Sequence, residues 1–161
     1  MIILGIDPGL RKTGYGFIRK NGGNISLIKS GTIKLDVKKN VQDRLYQLYT
    51  EFSELIKENM PDCMAIEKVF IGKNARSAFL IGEARAACII AAMSNNIKVF
   101  EYATRSVKQG VAGYGDASKE ALQRMVKLIL NYDGSLEEDA SDALALAIFH
   151  GNISETTRFY E

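Results

Sequence analysis

The chain has 161 residues, 47% of them hydrophobic and 25% charged, with 21 Lys and Arg against 19 Asp and Glu, a formal net charge of +2. This is the profile of a single globular domain spanning 1–161, and its charge excess is too small to imply a nucleic-acid partner by itself. With only Cys63 and Cys88, both in apolar surroundings, there is no disulfide framework; no uninterrupted apolar run reaches the roughly 18 residues of a membrane span and no signal peptide opens the chain, so a cytoplasmic protein without membrane attachment is expected.

Residues 2–6, IILGI, form a nearly continuous apolar run, the pattern of a central strand covered on both faces. GYGFIRK and ISLIKSGTIKL follow, separated by NGGN, a hairpin signal, so the first third reads as three strands, the second and third antiparallel. The period changes at Asn40. Val41, Leu45, Leu48, Tyr49, Phe52, Leu55 and Ile56 share one helical face behind Asn40 as N-cap, and Pro61 ends the segment. CMAIE restarts an extended run. A second helix is expected over 75–94, where Ala75, Ala78, Gly82, Ala86, Ala87 and Ala91 allow close approach of another element. IKVFEY then reads as a strand, RSVKQGV as a short helical turn, AGYGDASK as a Gly-rich loop, and a helix capped by Ser118 carries Leu122, Met125, Val126 and Ile129. After NYDGS a last helix, EEDASDALALAIFHG, stops at Gly151, leaving 152–161 as a loose tail. The order β-β-β-α-β-α-β-α-α predicts an α/β domain whose mixed sheet has an antiparallel edge and helices on both faces.

Four acids stand where acids are expensive. Asp7 and Glu67 each close an apolar strand at its carboxyl end, where α/β sheets gather their ligand sites. If the two strands are neighbours, the carboxylates lie side by side, and a divalent cation relieves their repulsion. Taken singly, each equally fits a strand end or a pair with Lys12 or Lys68. Asp139 and Asp142 share one face of the last helix, where the macrodipole favours acids by about 0.3–1 kcal/mol each, a role that Glu137 and Glu138 also fill. The apolar ALALAIF that follows packs this helix onto the sheet, bringing its first turn near the strand ends. Asp and Glu are hard oxygen donors suited to Mg²⁺ or Mn²⁺. His150 is the only histidine, so a zinc site or a Ser-His-Asp triad has no support, and neither GxGxxG nor GxxxxGK[ST] occurs.

Four segments, GIDPGLRKTGYG, AIEKVF, FEYATRSVKQGVAGYGDASK and DASDALALAIFH, resemble in order and spacing the RuvC family of Holliday-junction resolvases, over residues 1–150. The resemblance implies a ribonuclease-H-like fold: a five-stranded mixed sheet, its first three strands antiparallel, flanked by helices. It implies a structure-specific endonuclease that resolves four-way DNA junctions in recombination and repair, by paired, symmetric, divalent-metal-dependent hydrolysis. It makes Asp7, Glu67, Asp139 and Asp142 the catalytic metal ligands, for two Mg²⁺ ions with Mn²⁺ as a substitute. Two such ions about 3.5–4 Å apart can activate water and stabilise the leaving oxygen, and whether Asp7 bridges both or holds one stays open. Some members carry histidine at the position of Asp139, and many a small hydroxyl residue at that of Leu10. Lys108 and Lys119 match basic residues near the scissile phosphate. Phe70 matches an aromatic wedge, a contact worth about 1–3 kcal/mol per stacked base.

Cations must gather near the acids to hold DNA, so Arg11, Lys12, Lys68, Lys73, Arg76, Arg105 and Arg124 are further candidate contacts, each of which also fits a solvated surface. A two-fold junction calls for a homodimer, with the 75–94 helix as candidate interface. The family also implies a branch-migration helicase as partner. The rival expectations are a ribonuclease-H-like enzyme acting on RNA or RNA–DNA hybrids, a non-catalytic junction binder, and an actin-like nucleotide binder using the DPG turn.

Overall fold

Strand β1 (Ile2–Asp7) is the middle of five, in the order β3-β2-β1-β4-β5, with β2 Lys12–Asn21, β3 Asn24–Lys34, β4 Cys63–Glu67 and β5 Lys98–Tyr102. The computed structural model describes residues 1–68 and 75–158, with side chains to 154. β1 runs antiparallel to β2 and parallel to β4, β4 runs parallel to β5, and β2 and β3 form the expected hairpin around Gly22, at φ 53°.

The period-two alternation of β1 divides the domain into two cores. Leu4 and Ile6 face one side, where α1 (Val41–Asn59) and α2 (Ala75–Ser94) bring Leu48, Phe52, Ile56, Ala84 and Cys88. Ile3 faces the other, with Cys63 and Ala65 of β4, against α3 (Thr104–Ala112), α4 (Lys119–Ile129) and α5 (Glu138–Arg158). The caps follow the sequence: the Asn40 side chain accepts from Asp43 N at 2.8 Å, and Ser118 Oγ from Ala121 N at 3.2 Å. α1 closes with Met60 in the left-handed region at φ 45°, one residue before Pro61.

Three expectations are corrected. The stretch 104–112 is a nine-residue helix, closed by Gly113 at φ 91°, so three helices rather than two follow the last strand. The last helix does not stop at Gly151; it continues to Arg158. Gly151 is buried within the helix, where a Cβ would lie 3.2 Å from Ile3 Cδ1, and most of the supposed tail is helical, with Ile153 and Ser154 half-buried. Finally, α2 is long and apolar enough, by length and composition, to cross a membrane. Arg76, Glu83 and Arg85 interrupt its apolar residues, and Ala84, Cys88, Ala91 and Ala92 on one face belong to the core.

α5 rests directly on the sheet's backbone. A Cβ on Gly5 would lie 1.8 Å from the Ala143 carbonyl oxygen, one on Gly14 2.0 Å from that of Asp139, and one on Gly16 2.4 Å from Leu144 Cδ2. Gly5 and Gly16 are paired across β1 and β2, and Gly14 is paired with Asp7, so the glycines form a strip without side chains under the first turns of α5. Gly5→Ala and Gly14→Ala are each expected to destabilise by at least the roughly 1–3 kcal/mol of core overpacking, because the obstructing atoms are backbone. Urea denaturation checks this, and the Gly14 variant should also displace Asp139.

Candidate active site

Strand parity aims the first two acids. Asp7 follows Ile3 and Gly5 at intervals of two, and Glu67 follows Cys63 and Ala65, so both point to the α5 side of the sheet. Ile6 pairs with Ile66 in parallel register, which brings the next residues, Asp7 and Glu67, to adjacent strand ends. α5 supplies Asp142 from above, with the glycine strip setting its height. Asp7, Glu67 and Asp142 thereby line one cleft of about 280 Å³, together with Thr104, Lys108, Lys119, Val107, Leu122 and Leu146.

Asp139 lies one turn earlier on α5 and lines the neighbouring groove with Gly9, Leu10, Arg11 and Lys12. It still acts on Asp7 and Asp142 through its charge. Of the cations named from sequence, Lys108 and Lys119 are in the cleft, and Arg11 and Lys12 are in the groove. Arg76 is exposed in the first turn of α2, and Arg105, exposed on α3, has its side chain against Gly115. Phe70 and Lys73 lie outside the described residues.

The electrostatics are those of crowded carboxylates. Burial, then the charges of Asp142, Glu67 and Asp139, push Asp7 from its ordinary 3.8 up to about 7, with Lys119 opposing. Burial and Asp142 hold Glu67 above the usual carboxylate range, against Lys108. Asp142 is raised by burial, while Lys119 and Lys108 pull it back and Glu138 and Asp139 push it up.

Several side chains position these groups. The Thr104 hydroxyl donates to Glu67 Oε1. Arg85 Nε donates to the Glu67 carbonyl at 3.2 Å, and Arg85 Nη2 lies 2.5 Å from Glu101 Oε1. Lys108 Nζ donates to the Ala117 carbonyl at 2.8 Å, which fixes its head at the cleft and leaves its other hydrogens available. Lys119 pairs with Glu138. Both partners are well exposed, so that pair is weak and readily exchanged. Sequence reasoning missed Thr104 and the pairing role of Glu138. Thr104 had a usable signal, a hydroxyl just past the carboxyl end of a strand that neighbours β4.

An oxygen-only donor set, raised by burial and mutual repulsion, fits a hard divalent cation, which would return each carboxyl to its charged form. Among the described residues no three acids are drawn into a preset cage. Asp7, Glu67 and Asp142 would hold the cation from the cleft, with Asp139 at its edge.

The comparisons agree with one another. The family model described as crossover junction endodeoxyribonuclease RuvC matches residues 3–150. A crossover junction endodeoxyribonuclease RuvC from Ralstonia nicotianae is 47% identical over 156 residues, 97% of this chain and 86% of the relative. Another, from Citrifermentans bemidjiense, is 47% identical over 152 residues, 94% and 93% of the two chains. The structure of Thermus thermophilus RuvC in complex with Holliday junction substrate is similar at a TM-score of 0.91 and 28% identity, covering 98% of this chain and 96% of that one. The yeast mitochondrial Holliday junction resolvase Ydc2 shares the fold, with a TM-score of 0.72 at 14% identity over 98% of this chain and 80% of its own.

Asp7 also makes stability depend on pH. Unfolding returns its carboxyl to the ordinary 3.8, so between that value and about 7 the folded state holds the extra proton. Stability from this group is therefore fully present below the lower value and is lost as pH rises through the upper one. Without divalent metal, Asp7→Asn should melt above wild type at about pH 8, by more than the roughly 2–4 °C that 1 kcal/mol gives, and the gap should close towards about pH 4. Scanning fluorimetry reads this, and added Mg²⁺ should narrow the gap by stabilising wild type more.

Proposed function

The chain belongs to the RuvC family of crossover junction endodeoxyribonucleases and is a Holliday-junction resolvase, and from that premise we propose that Asp7, Glu67, Asp139 and Asp142 are its metal ligands and Lys108 and Lys119 its contacts to the scissile phosphate. The observation that carries this reading is one cleft in which carboxylates from β1, β4 and α5 meet two lysines from α3 and α4. Acids alone would repel a phosphodiester and lysines alone would bind it without cutting; the two together are what hydrolysis with a divalent ion requires.

The family implies dependence on a divalent metal. Asp7, Glu67, Asp139 and Asp142 would hold the ions, which we assign as two Mg²⁺, replaceable by Mn²⁺. When bound, such ions activate the attacking water and neutralise charge building on the phosphate and the leaving oxygen. The protein's own part is positional. Thr104 orients Glu67, the Ala117 carbonyl orients Lys108, and Lys119 exchanges its weak pair with Glu138 for a phosphate oxygen. Arg11, Lys12, Lys73, Arg76 and Arg105 are proposed as outlying DNA contacts, and Phe70 as an aromatic wedge at the junction. A cytoplasmic location is proposed, and the family implies a branch-migration helicase as partner.

Paired cuts across a two-fold junction need two active sites with matching symmetry. The face of α2 turned from the core leaves Phe79, Ile90 and Met93 68%, 56% and 59% exposed, and a second copy of this chain is the occupant we assign to it. Ile90→Glu should move the protein from dimer towards monomer in sedimentation at micromolar concentration and depress paired cleavage; an unchanged sedimentation coefficient speaks against this interface.

Asp7→Asn should bind a synthetic mobile junction as wild type does and lose Mg²⁺-dependent cleavage by at least about 100-fold, judged from the several kcal/mol that metal-assisted charge stabilisation supplies. Gel assays on junction, duplex and RNA–DNA hybrid measure it. Near-normal cleavage by Asp7→Asn removes the ligand assignment.

A further inference from the structure

Beside the catalytic cleft lies a larger groove, of about 790 Å³, and its Lys34 has no part in the chemistry above. It is walled by Leu10, Val37, Leu80 and Ile81, and Arg11, Lys12 and Lys34 stand along it. Lys12 and Lys34 are directly opposite one another on β2 and β3. Like charges at such positions destabilise a sheet, and both side chains are exposed. Among the described residues neither they nor Arg11 has an ion-pair partner.

The groove floor is fixed. Arg44 Nη1 donates to the Leu10 carbonyl at 2.9 Å, Leu35 N to the Arg11 carbonyl at 3.0 Å, and the Thr13 hydroxyl to the Gly9 carbonyl at 2.8 Å. The cations therefore stand on a preorganised turn rather than a loose loop. Val37 and Ile81 are 55% and 41% exposed, apolar surface against which a sugar or base edge can lie. The acid in the groove is Asp139, one turn of α5 from Asp142 in the cleft, so the groove opens where the cleft ends.

We propose that this groove is a second DNA track, which holds the sugar-phosphate backbone of the junction strand after it leaves the catalytic cleft, with Lys34 and Lys12 on successive phosphates. The proposal rests on the junction-cleaving reading above and extends it to Lys34, to the Lys12–Lys34 pair, and to an arm of the substrate beyond the cut. Two directly opposed cations with no ion-pair partner among the described residues suit a polyanion whose charges recur at about 3.4 Å of axis per strand.

The test measures junction affinity against salt concentration by fluorescence anisotropy, without divalent metal so that cleavage is silent, for wild type, Lys34→Gln, Lys12→Gln/Lys34→Gln and Lys34→Arg. Junctions with full arms and with arms clipped close to the crossover are compared, and Lys57→Gln, on the exposed surface of α1, controls for net charge. For full arms, the log–log salt slope should fall by about 0.7–0.9 in Lys34→Gln and about twice that in the double variant, while Lys34→Arg and Lys57→Gln keep the wild-type slope. Clipped arms should abolish the difference. The melting temperature of Lys34→Gln should not drop, because the substitution relieves a like-charge pair, so weaker binding cannot be ascribed to misfolding. An unchanged slope in the double variant, or an equal effect on clipped and full arms, overturns the track. Failure of wild type to prefer a junction over duplex overturns the junction reading itself.

Discussion

The candidate active site depends on a contact between two backbones. The carbonyl oxygens of Asp139 and Ala143 occupy the space where Gly14 and Gly5 would carry a side chain. No flexible group lies between the helix and the sheet at those points, so the height and rotation of α5 are set by main-chain atoms. Asp142 inherits that precision and meets Asp7 and Glu67 in one cleft. Small residues on the sheet-facing side of the helix serve the same end: Ala140, Ala143 and Ala147 are all buried, and larger side chains there would lift the helix from the strip.

That placement works against stability. Burial and mutual repulsion raise all three cleft carboxyls, and a folded protein that keeps three acids together loses stability wherever they must be charged. The opposing contributions come from elsewhere. Two hydrophobic cores, one on each face of the sheet, carry the fold, with Phe17, Phe52, Leu48, Ile56, Leu144 and Ile148 fully buried. Lys108 and Lys119 offset part of the repulsion locally, Lys108 from a fixed position and Lys119 from an exposed one. Crowded carboxylates of this kind are costly to keep charged together, and a bound divalent cation would relieve that cost.

Cleft and groove are two consequences of one topology. Both open at the carboxyl end of β1, where the chain turns through 8–11 into β2. The side towards α3 and α4 receives lysines from those helices and becomes the cleft. The side towards α2 and the end of β3 receives Lys12 and Lys34 and becomes the groove. Asp139 lines the groove and Asp142 the cleft, a single turn of α5 apart.

Much of this was legible along the chain. The alternation of β1, the NGGN turn, the helical period from Val41 and the Asn40 and Ser118 caps are local signals, because each depends on neighbours within a few residues. The four acids were also visible, as polar residues set into apolar runs. Where local signals conflicted with packing, packing won. Gly151 resembled a helix end but accommodates Ile3, and the glycines of β1 and β2 gave no sign that they were a seat for α5. Nor could spacing show that Asp139 would also line a neighbouring groove, that Thr104 would reach Glu67, or that Lys12 and Lys34 would stand opposite one another. Periodicity and capping chemistry are written into contiguous residues, so the sequence by itself determined most of the elements and marked the candidate acids. Which side chains share a cavity depends on register and on the closeness of helix to sheet, and these arise only when distant segments pack.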